Sequence, residues 1–428
     1  MQIERPHLAV LLQRLSESAQ AIVFVTGPRQ VGKSTMVRQA LQRQPGLYLA
    51  ADQADAGWGV DPWAVAGQGL DALGMPTAAG APKDGRWLAQ QWTVARARAL
   101  QQAADQPQAP PFVLAIDEIQ KIPGWSDVVK GLWDADRAAG VPMHVVLLGS
   151  SAWLMQQGMR ESLQGRYETL RLTHWSYEEM QRAFNVSLDE YVYFGGYPGS
   201  ARLYQEPRRW RQYIRDAMIE PNIGIDILQM VRVDKPALLK NLFELGCGAY
   251  SGQIVALSKL LGELQDAGNT VTLSKYLHLL SQAELLTGLE KFAMQALRQR
   301  ASPPKFNVHN TALMSALAGY DFDEARQDHT HWGRLVESAV GAHLINTREA
   351  DTSLTYWRES PLEVDFVLKG RRGWRAIEVK SGQRFASPKG LAAYCGQYQA
   401  ARPMLVGEGG VPMAEFLSQP ADHWLDAP

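Results

Sequence analysis

The chain has 428 residues, of which 46% are hydrophobic and 20% charged, so it is long enough for two or three domains with substantial cores. Its 43 Lys and Arg residues nearly balance its 44 Asp and Glu residues, and the net charge of -1 excludes a protein that is basic throughout. Any binding to nucleic acid must therefore depend on local patches of positive charge. Cys247 and Cys395 are too few and too far apart in sequence for a disulfide framework or a zinc site.

The sequence also gives no sign of a membrane segment. No stretch approaches the ~18 consecutive apolar residues of a membrane span. The first twenty residues alternate apolar and polar positions at helical spacing and lack the unbroken apolar region of a signal peptide. We therefore expect a cytoplasmic protein with no membrane partner.

Residues 27–34 form the first motif, since GPRQVGKS matches G-x-x-x-x-G-K-[ST] at every fixed position. The apolar run at 21–25 predicts a strand before this phosphate loop, and residues 35–41 predict a helix after it. Lys33 would supply a positive charge for the β- and γ-phosphates of ATP, and Ser34 a hydroxyl for Mg2+. The predicted nucleotide-binding residues are Gly27, Pro28, Arg29, Gln30, Val31, Gly32, Lys33, Ser34 and Thr35. The alternative is a glycine-rich turn with a chance lysine.

The next predicted elements continue an α/β pattern. Residues 47–50 predict a second strand, and residues 87–103 a helix that ends before the prolines at 107–111. Between them, from Asp52 to about Gly85, the sequence is rich in Ala, Gly, Asp and Pro and has no helical or strand periodicity. The role of this stretch is open.

A second acidic motif ends the buried-type strand predicted at residues 112–118. A parallel strand would place Asp117 at its carboxyl end beside the phosphates, where it can orient Mg2+. Glu118 could then polarise the attacking water as a general base. The alternative is an ordinary strand end exposed to solvent.

Three further residues are candidates for contact with the γ-phosphate. Ser150 follows the strand predicted at 144–149, where it could sense the phosphate or simply cap the next helix. Arg166 is the first choice for an arginine that reaches the phosphate, in its own chain or from a neighbouring subunit, and Arg160 is its rival. Either arginine could equally be a solvated surface charge.

The chain resembles the bacterial and archaeal AAA-superfamily ATPases that carry a C-terminal domain of unknown function. The resemblance covers most of the chain and rests on residues 27–34, 114–125, 147–151, 165–166 with 174–176, 194–198, 363–366 and 377–380. It implies an α/β fold with a P-loop NTPase domain of AAA type, ATP and Mg2+ as cofactors, and ATP hydrolysis by a protein often suspected of acting on DNA. An oligomer of identical chains is expected only by analogy, through the arginine finger.

The middle of the chain has the outline of a winged helix. Three short helices are predicted at 237–246, 254–264 and 272–283, followed by an apolar strand or hairpin at 284–292. Residues 271–278 would then form the recognition helix, with Thr272, Ser274, Lys275 and His278 facing a DNA groove. The alternative is a module that contacts protein or covers the nucleotide.

The C-terminal region carries a second set of charged residues. Asp365 and Glu378 lie on two strands of a predicted hairpin, with Lys380 on the same face as Glu378. This constellation resembles the core of the PD-(D/E)xK nuclease-like fold, a restriction-endonuclease-like α/β domain. The resemblance implies Mg2+ bound by Asp365 and Glu378, with Glu337 completing the acidic set and Lys380 steadying the attacking water. The alternative is a surface Glu–Lys salt bridge between strands.

Together these motifs predict three domains: a P-loop ATPase domain at 1–185, a helical and winged-helix-like domain at 186–295, and a nuclease-like domain at 296–428. The first functional hypothesis is a Mg2+-dependent ATPase that binds and remodels DNA, such as branched DNA or ends in repair, recombination or defence. The second is a nucleotide-driven switch or scaffold whose C-terminal domain recognises a partner without catalysis.

Overall fold

The computed structural model describes residues 3–52, 83–149, 162–227, 233–264, 268–294, 302–382 and 389–426. The chain divides into two units, Met1–Leu172 and Thr173–Pro428. Over these described ranges, each helix is too short or too polar to cross a bilayer.

The first unit is built on a parallel sheet of five strands in the order β2-β3-β4-β1-β5. The strands are β1 Ile22–Thr26, β2 Gly46–Ala50, β3 Phe112–Asp117, β4 Met143–Leu148 and β5 Tyr167–Arg171. The helices are α1 His7–Ser16, α2 Lys33–Leu41, α3 Gly85–Asp105 and α4 Trp125–Ala139. All of the pairings are parallel, which confirms the predicted α/β architecture of this region.

The three central strands explain why this sheet is buried. Every residue of β1, β3 and β4 is buried, as expected for a parallel sheet whose two faces are covered by helices. Tryptophans of α3 and α4 fill one core, and Trp92 donates a hydrogen bond to Asp136 at 2.6 Å. The sheet thus holds the strand ends in fixed positions.

The strand order reverses at β1, whose neighbours are β4 and β5. In open α/β sheets such a reversal opens a crevice at the carboxyl ends of the strands, where ligands bind. Residues 27–32 leave β1 at this crevice and lead into α2.

The second unit combines helices with two small sheets. Its helices are α5 Tyr177–Phe184, α6 Leu188–Phe194, α7 Pro207–Tyr213, α8 Pro236–Gly248, α9 Leu257–Glu263, α10 Thr270–Gln282, α11 Thr311–Ala318, α12 Phe322–Gln327, α13 His329–Thr347, α14 Lys389–Gln397, α15 Met413–Ser418 and α16 His423–Asp426. Strands β6 Leu286–Leu289 and β7 Lys305–Val308 pair antiparallel. The larger sheet contains β8 Ser353–Glu359, β9 Leu362–Lys369, β10 Trp374–Lys380 and β11 Arg402–Gly407, in the order β11-β10-β9-β8.

The structure groups residues differently from the three predicted domain ranges. Helix α5, placed before residue 185 in the prediction, packs against α6 and α15 of the second unit. Residue 295 lies between β6 and β7, which are hydrogen-bonded to each other. A boundary there would separate paired strands, so the middle and C-terminal regions form a single unit.

The predicted helices and strands of the second unit are largely present. Helices α8, α9 and α10 and strand β6 match the predicted outline of the middle region, and β7 is the partner of β6. In the larger sheet β9 and β10 form the predicted antiparallel pair, whereas β10 and β11 are parallel. Helix α13 contains Glu337.

A buried histidine makes the stability of the second unit depend on pH. His343 of α13 is 4% exposed, and its Nε2–H donates to the carbonyl of Gln419 at 2.7 Å. Burial lowers the pKa of His343 to about 4. Because an unfolded histidine binds a proton near pH 6.5, the unfolded state gains protons first as the pH falls.

We therefore expect the free energy of unfolding to fall between pH 6.5 and 4, with His343 contributing roughly 2 kcal/mol of the loss by pH 5. His343→Gln keeps an N–H donor but cannot titrate, so its urea midpoint should change less between pH 7.5 and 5 than that of the wild type. His278→Gln, at an exposed position, is the control and should behave as the wild type does. An equal pH dependence in His343→Gln and wild type would contradict the assignment.

Candidate functional site

Two glycines fix the path of the phosphate loop. Gly27 has φ 144°, and a Cβ at this position would lie 1.9 Å from the carbonyl oxygen of Leu172. Gly32 has φ 95° and precedes the first residue of α2. Only glycine adopts these conformations readily, and the result is a loop that turns into the N-terminus of a helix, where backbone N–H groups favour anions.

Lys33 is held within this loop. Its side chain is buried, and Nζ donates to the carbonyl oxygens of Gly27 at 2.8 Å and Pro28 at 2.7 Å. The ammonium therefore lies at the start of α2, against the loop that would surround phosphate groups. This is the position that the sequence motif requires.

Asp117 joins the phosphate loop to the neighbouring strands. Ser34 Oγ donates to Asp117 Oδ2 at 2.5 Å, and the Tyr48 hydroxyl donates to the same oxygen. The backbone N–H of Glu118 donates to Asp117 Oδ1 at 2.9 Å. Burial raises the pKa of the Tyr48 phenol, and the nearby Asp117 carboxylate raises it further, so Tyr48 remains a proton donor.

These oxygens fit a magnesium ion. Mg2+ prefers hard oxygen ligands, and in nucleotide sites it is held by one or two side chains together with phosphates. The Ser34 hydroxyl and the Asp117 carboxylate are close enough to serve one cation. They would hold Mg2+ on the side of the loop that faces β3.

Glu118 lies next to Asp117 in a strained backbone conformation. Its φ of 52° and ψ of 39° are left-handed, which is uncommon for a residue other than glycine. Such strain is often found at functional sites. Gln120 Nε2 donates to Glu118 Oε2 at 2.5 Å, so the carboxylate is held at the carboxyl edge of the sheet.

Tyr48 was not identified from the sequence. It lies on β2, opposite Ala115 of β3, and reaches Asp117 because these two strands are adjacent. The sequence predicts both strands but not their order in the sheet. Only the tertiary structure brings this hydroxyl to the site.

The predicted role of Arg166 within its own chain is wrong. Its carbonyl accepts a hydrogen bond from the N–H of Ile22 at 2.8 Å, at the amino end of β1, whereas the phosphate loop leaves the carboxyl end. The guanidinium instead binds both oxygens of Asp134, at 2.7 and 2.9 Å. Arg166 directly precedes β5, and the parallel pairing of β5 with β1 places it at this end of the sheet.

The remaining candidates near the nucleotide are outside the described residues. Ser150 and Arg160 are among residues 150–161, and most of the irregular stretch from Asp52 to Gly85 falls in residues 53–82; both ranges are outside the described residues.

The predicted charged residues of the C-terminal region do come together. Glu378 and Asp365 come directly beside the paired residues Ile377 and Phe366, and Asp365 Oδ2 accepts the N–H of Val379 at 2.9 Å. Lys380 Nζ binds Glu378 Oε1 at 2.7 Å. Burial raises the pKa of Glu378, and the nearby Asp365 carboxylate raises it further.

Two residues of this cluster were missed by the sequence analysis, Lys305 and Glu363. Lys305 has 0% side-chain exposure, and its Nζ lies 2.5 Å from Glu337 Oε1, 3.3 Å from Asp365 Oδ1 and 3.8 Å from Glu363 Oε1. Burial lowers the pKa of Lys305, but the charges of Glu337 and Asp365 outweigh it and the pKa is raised overall. No sequence signal marks Lys305, because it begins a short strand that is far from the other members in sequence.

The predicted metal ligands Glu337, Asp365 and Glu378 do not fit a metal site. Within the described ranges, no group of three or more His, Cys, Asp or Glu side chains could hold a metal ion. The physical reason is the Lys305 ammonium, which binds the oxygens of Glu337 and Asp365 that the prediction assigned to Mg2+.

Three family models match the chain. Residues 86–181 match an AAA domain, residues 185–324 a domain of unknown function (DUF8612), and residues 332–414 another domain of unknown function (DUF4143). The AAA match includes Asp117 and Glu118 and begins after the phosphate loop. Over residues 86–181 the chain is therefore similar to an AAA domain, in agreement with the phosphate loop that precedes this region.

Two relatives match almost the whole chain, and a third matches about half of it. Uncharacterized proteins of Mycobacterium tuberculosis and Mycobacterium bovis are each 27% identical over 436 residues, covering 99% of this chain and 85% of theirs. An uncharacterized protein of Haemophilus influenzae is 29% identical over 216 residues, covering 48% of this chain and 52% of its own.

Solved structures resemble the chain more distantly. The Walker-type ATPase paby2304 of Pyrococcus abyssi is 14% identical with a TM-score of 0.44, covering 74% of this chain and 96% of its own. The Aeropyrum pernix ORC1 protein, solved in complex with DNA, is 13% identical with a TM-score of 0.30, covering 76% and 95%.

Substitution of Gly27 tests the geometry of the loop. Gly27→Ala places a methyl group against the Leu172 carbonyl at a φ disfavoured for alanine, so we expect a loss of roughly 1–3 kcal/mol in the free energy of unfolding. Gly131→Ala is the matched control, because Gly131 is exposed in α4 with open space around it, and alanine there should stabilise by about 0.5–1 kcal/mol. Chemical denaturation of both variants measures the difference. Equal stability of Gly27→Ala and wild type would contradict the close approach.

Proposed function

We propose that the first unit binds ATP with Mg2+ and hydrolyses it. The observation that carries the proposal is the hydrogen bond between Ser34 and Asp117, which lies beside the Lys33 ammonium at the carboxyl edge of the sheet. The fold supplies a helix N-terminus at the same edge. The groups that would bind phosphate are therefore adjacent to the hydroxyl and the carboxylate that would bind a cation.

Each residue has a distinct role in the proposed reaction. Lys33 would bind the β- and γ-phosphates, and Ser34 and Asp117 would hold Mg2+, which when bound would offset negative charge on the phosphates. Tyr48 keeps the Asp117 carboxylate oriented through its hydrogen bond. Glu118 acts as the general base that takes a proton from the attacking water.

Two substitutions separate binding from hydrolysis. Lys33→Ala removes the charge that binds phosphate, so ATP affinity should fall sharply. Glu118→Gln keeps the size of the side chain but removes the base, so ATP should still bind while turnover falls by ~10²–10⁴-fold. Fluorescent-nucleotide titration and phosphate release measure the two effects. Wild-type turnover in Glu118→Gln would show that another group activates the water.

We further propose that hydrolysis drives work on DNA, such as branched DNA or ends, through the middle region. Supporting this, α10 buries its apolar side with Leu273, Tyr276 and Leu280, while Lys275 and His278 are exposed. One face of the helix is thus available to a nucleic acid backbone. An oligomer of identical chains, in which Arg166 could act on a neighbouring site, and a cytoplasmic location are parts of the same proposal.

Salt-dependent DNA binding tests this role. Lys275→Ala should weaken binding to duplex and branched DNA and reduce the slope of log K against log salt by about 1, as expected for one lost phosphate contact. Lys259→Ala is the control, because Lys259 on α9 already lies 3.8 Å from Glu263. Absence of DNA binding, together with ATP turnover unchanged by DNA, would exclude the remodelling role and leave ATP hydrolysis standing.

The second candidate function is a nucleotide-driven switch or scaffold with a non-catalytic C-terminal region. The ion pairs of Lys305 with Glu337 and Asp365 favour it, because they occupy the carboxylates that a metal-dependent nuclease would use. In this case Lys33→Ala should abolish nucleotide-dependent assembly. Asp365→Ala should leave every DNA-linked activity unchanged.

A further inference from the structure

The carboxylate cluster consists of Glu337, Glu363, Asp365 and Glu378, and it surrounds a lysine supplied by another sheet. Glu363 and Asp365 lie on β9, Glu378 on β10 and Glu337 on α13, whereas Lys305 is the first residue of β7. Strand β7 pairs with β6, not with the larger sheet. The cation therefore comes from outside the element that carries most of the acids.

The lysine side chain is enclosed on several sides. Besides its three ion pairs, Nζ donates to the backbone carbonyl of Asp365 at 3.2 Å and lies 4.9 Å from the centre of the Phe366 ring. A cation over an aromatic face is stabilised further when it is removed from water. Lys305 thus has the partners that a fully buried ammonium needs.

The strand that carries Lys305 is itself fixed. Asn307 Nδ2 donates to the Ser338 carbonyl of α13 at 3.2 Å, and Phe306 exchanges backbone hydrogen bonds with residues 252 and 253 at 2.8 and 2.9 Å. Helix α13 approaches closely at Gly341, where a Cβ would lie 2.1 Å from Asn307 Oδ1. The backbone of β7 is therefore held beside α13, next to the cluster that Lys305 enters.

The charges in the cluster are nearly balanced without a metal. Four carboxylates are paired with three cations. Lys305 is the first, Lys380 binds Glu378 at 2.7 Å, and Arg358 lies 3.8 Å from Glu363. A metal ion bound to Glu337 and Asp365 would need to lie about 2.0–2.6 Å from their oxygens. The ammonium already occupies that space at 2.5 and 3.3 Å, and two cations would repel each other there.

We infer that the Lys305 ammonium takes the place of a divalent cation in the carboxylate cluster, so that this site is closed to metal and removal of the lysine opens it. The wild-type C-terminal region then has no metal-dependent nuclease chemistry, and its acidic cluster is a structural ion network. The inference does not depend on ATP hydrolysis by the first unit.

Direct metal binding tests the inference in the full-length chain without nucleotide. Mn2+ titration is followed by electron paramagnetic resonance. Wild type and Asp365→Asn should bind the same number of Mn2+ ions, because the cluster binds none in wild type. Lys305→Met keeps the length of the side chain but removes the charge, and it should gain one Mn2+ site. All of these proteins would also carry Asp117→Asn, so that the phosphate loop contributes no cation site.

Stability provides a second readout. Lys305→Met leaves buried carboxylates without their partner, so we expect its melting temperature to fall by roughly 10 °C and to recover when Mn2+ is added. The double variant Lys305→Met with Glu337→Gln removes one charge of each sign. Without metal it should be more stable than Lys305→Met alone. It should also bind Mn2+ more weakly than Lys305→Met alone. Lys259→Met, at an exposed position, is the matched control and should show neither effect.

The outcomes are distinct. An Mn2+ site in wild type that Asp365→Asn abolishes would overturn the inference, as would a folded Lys305→Met that binds no Mn2+. If Lys305→Met does not fold alone, restoration of its fold by Mn2+ would support the inference. Failure of Mn2+ to stabilise either Lys305 variant would contradict it.

Discussion

The hydrogen bond between Ser34 and Asp117 unites two parts of the first unit that are 83 residues apart in sequence. It exists because β1 and β3 are parallel members of one sheet, so the loop after β1 and the carboxylate that ends β3 reach the same edge. The other features of the site depend on this meeting point. Lys33 begins the helix beside it, Tyr48 adds a donor from β2, and Glu118 follows directly.

The energetics of the two charged sites differ in kind. At the phosphate loop, the positive groups are backbone N–H groups and one lysine, and they are arranged for an anion that comes from outside. In the carboxylate cluster, the opposite charges are already paired within the chain, with Lys305 at its centre. Buried charges are tolerated only when they are paired in this way. The first arrangement suits a ligand site, and the second suits a structural network.

Backbone conformations with positive φ distinguish the phosphate loop from the carboxylate cluster. Gly27, Gly32 and Glu118 all have positive φ and flank the place where phosphate and cation would lie. In the carboxylate cluster, none of Glu337, Glu363, Asp365, Glu378 and Lys305 has a positive φ. This contrast is consistent with a first site that binds a ligand and a second site that maintains the packing of β7, α13 and the larger sheet.

The sequence by itself determined the phosphate loop, the acidic strand and the Asp365, Glu378 and Lys380 hairpin. Each of these depends on neighbours along the chain, so local spacing carries the information. Tertiary structure alone decided that Tyr48 reaches Asp117, that Arg166 lies at the amino end of the sheet, and that Lys305 enters the carboxylate cluster. Contacts of this kind depend on strand order and on the packing of distant elements, because two charges that meet in space leave no periodic signal in sequence. The motifs therefore predict the phosphate loop and the acidic hairpin from local spacing, whereas the contact of Lys305 with that hairpin comes from the tertiary structure.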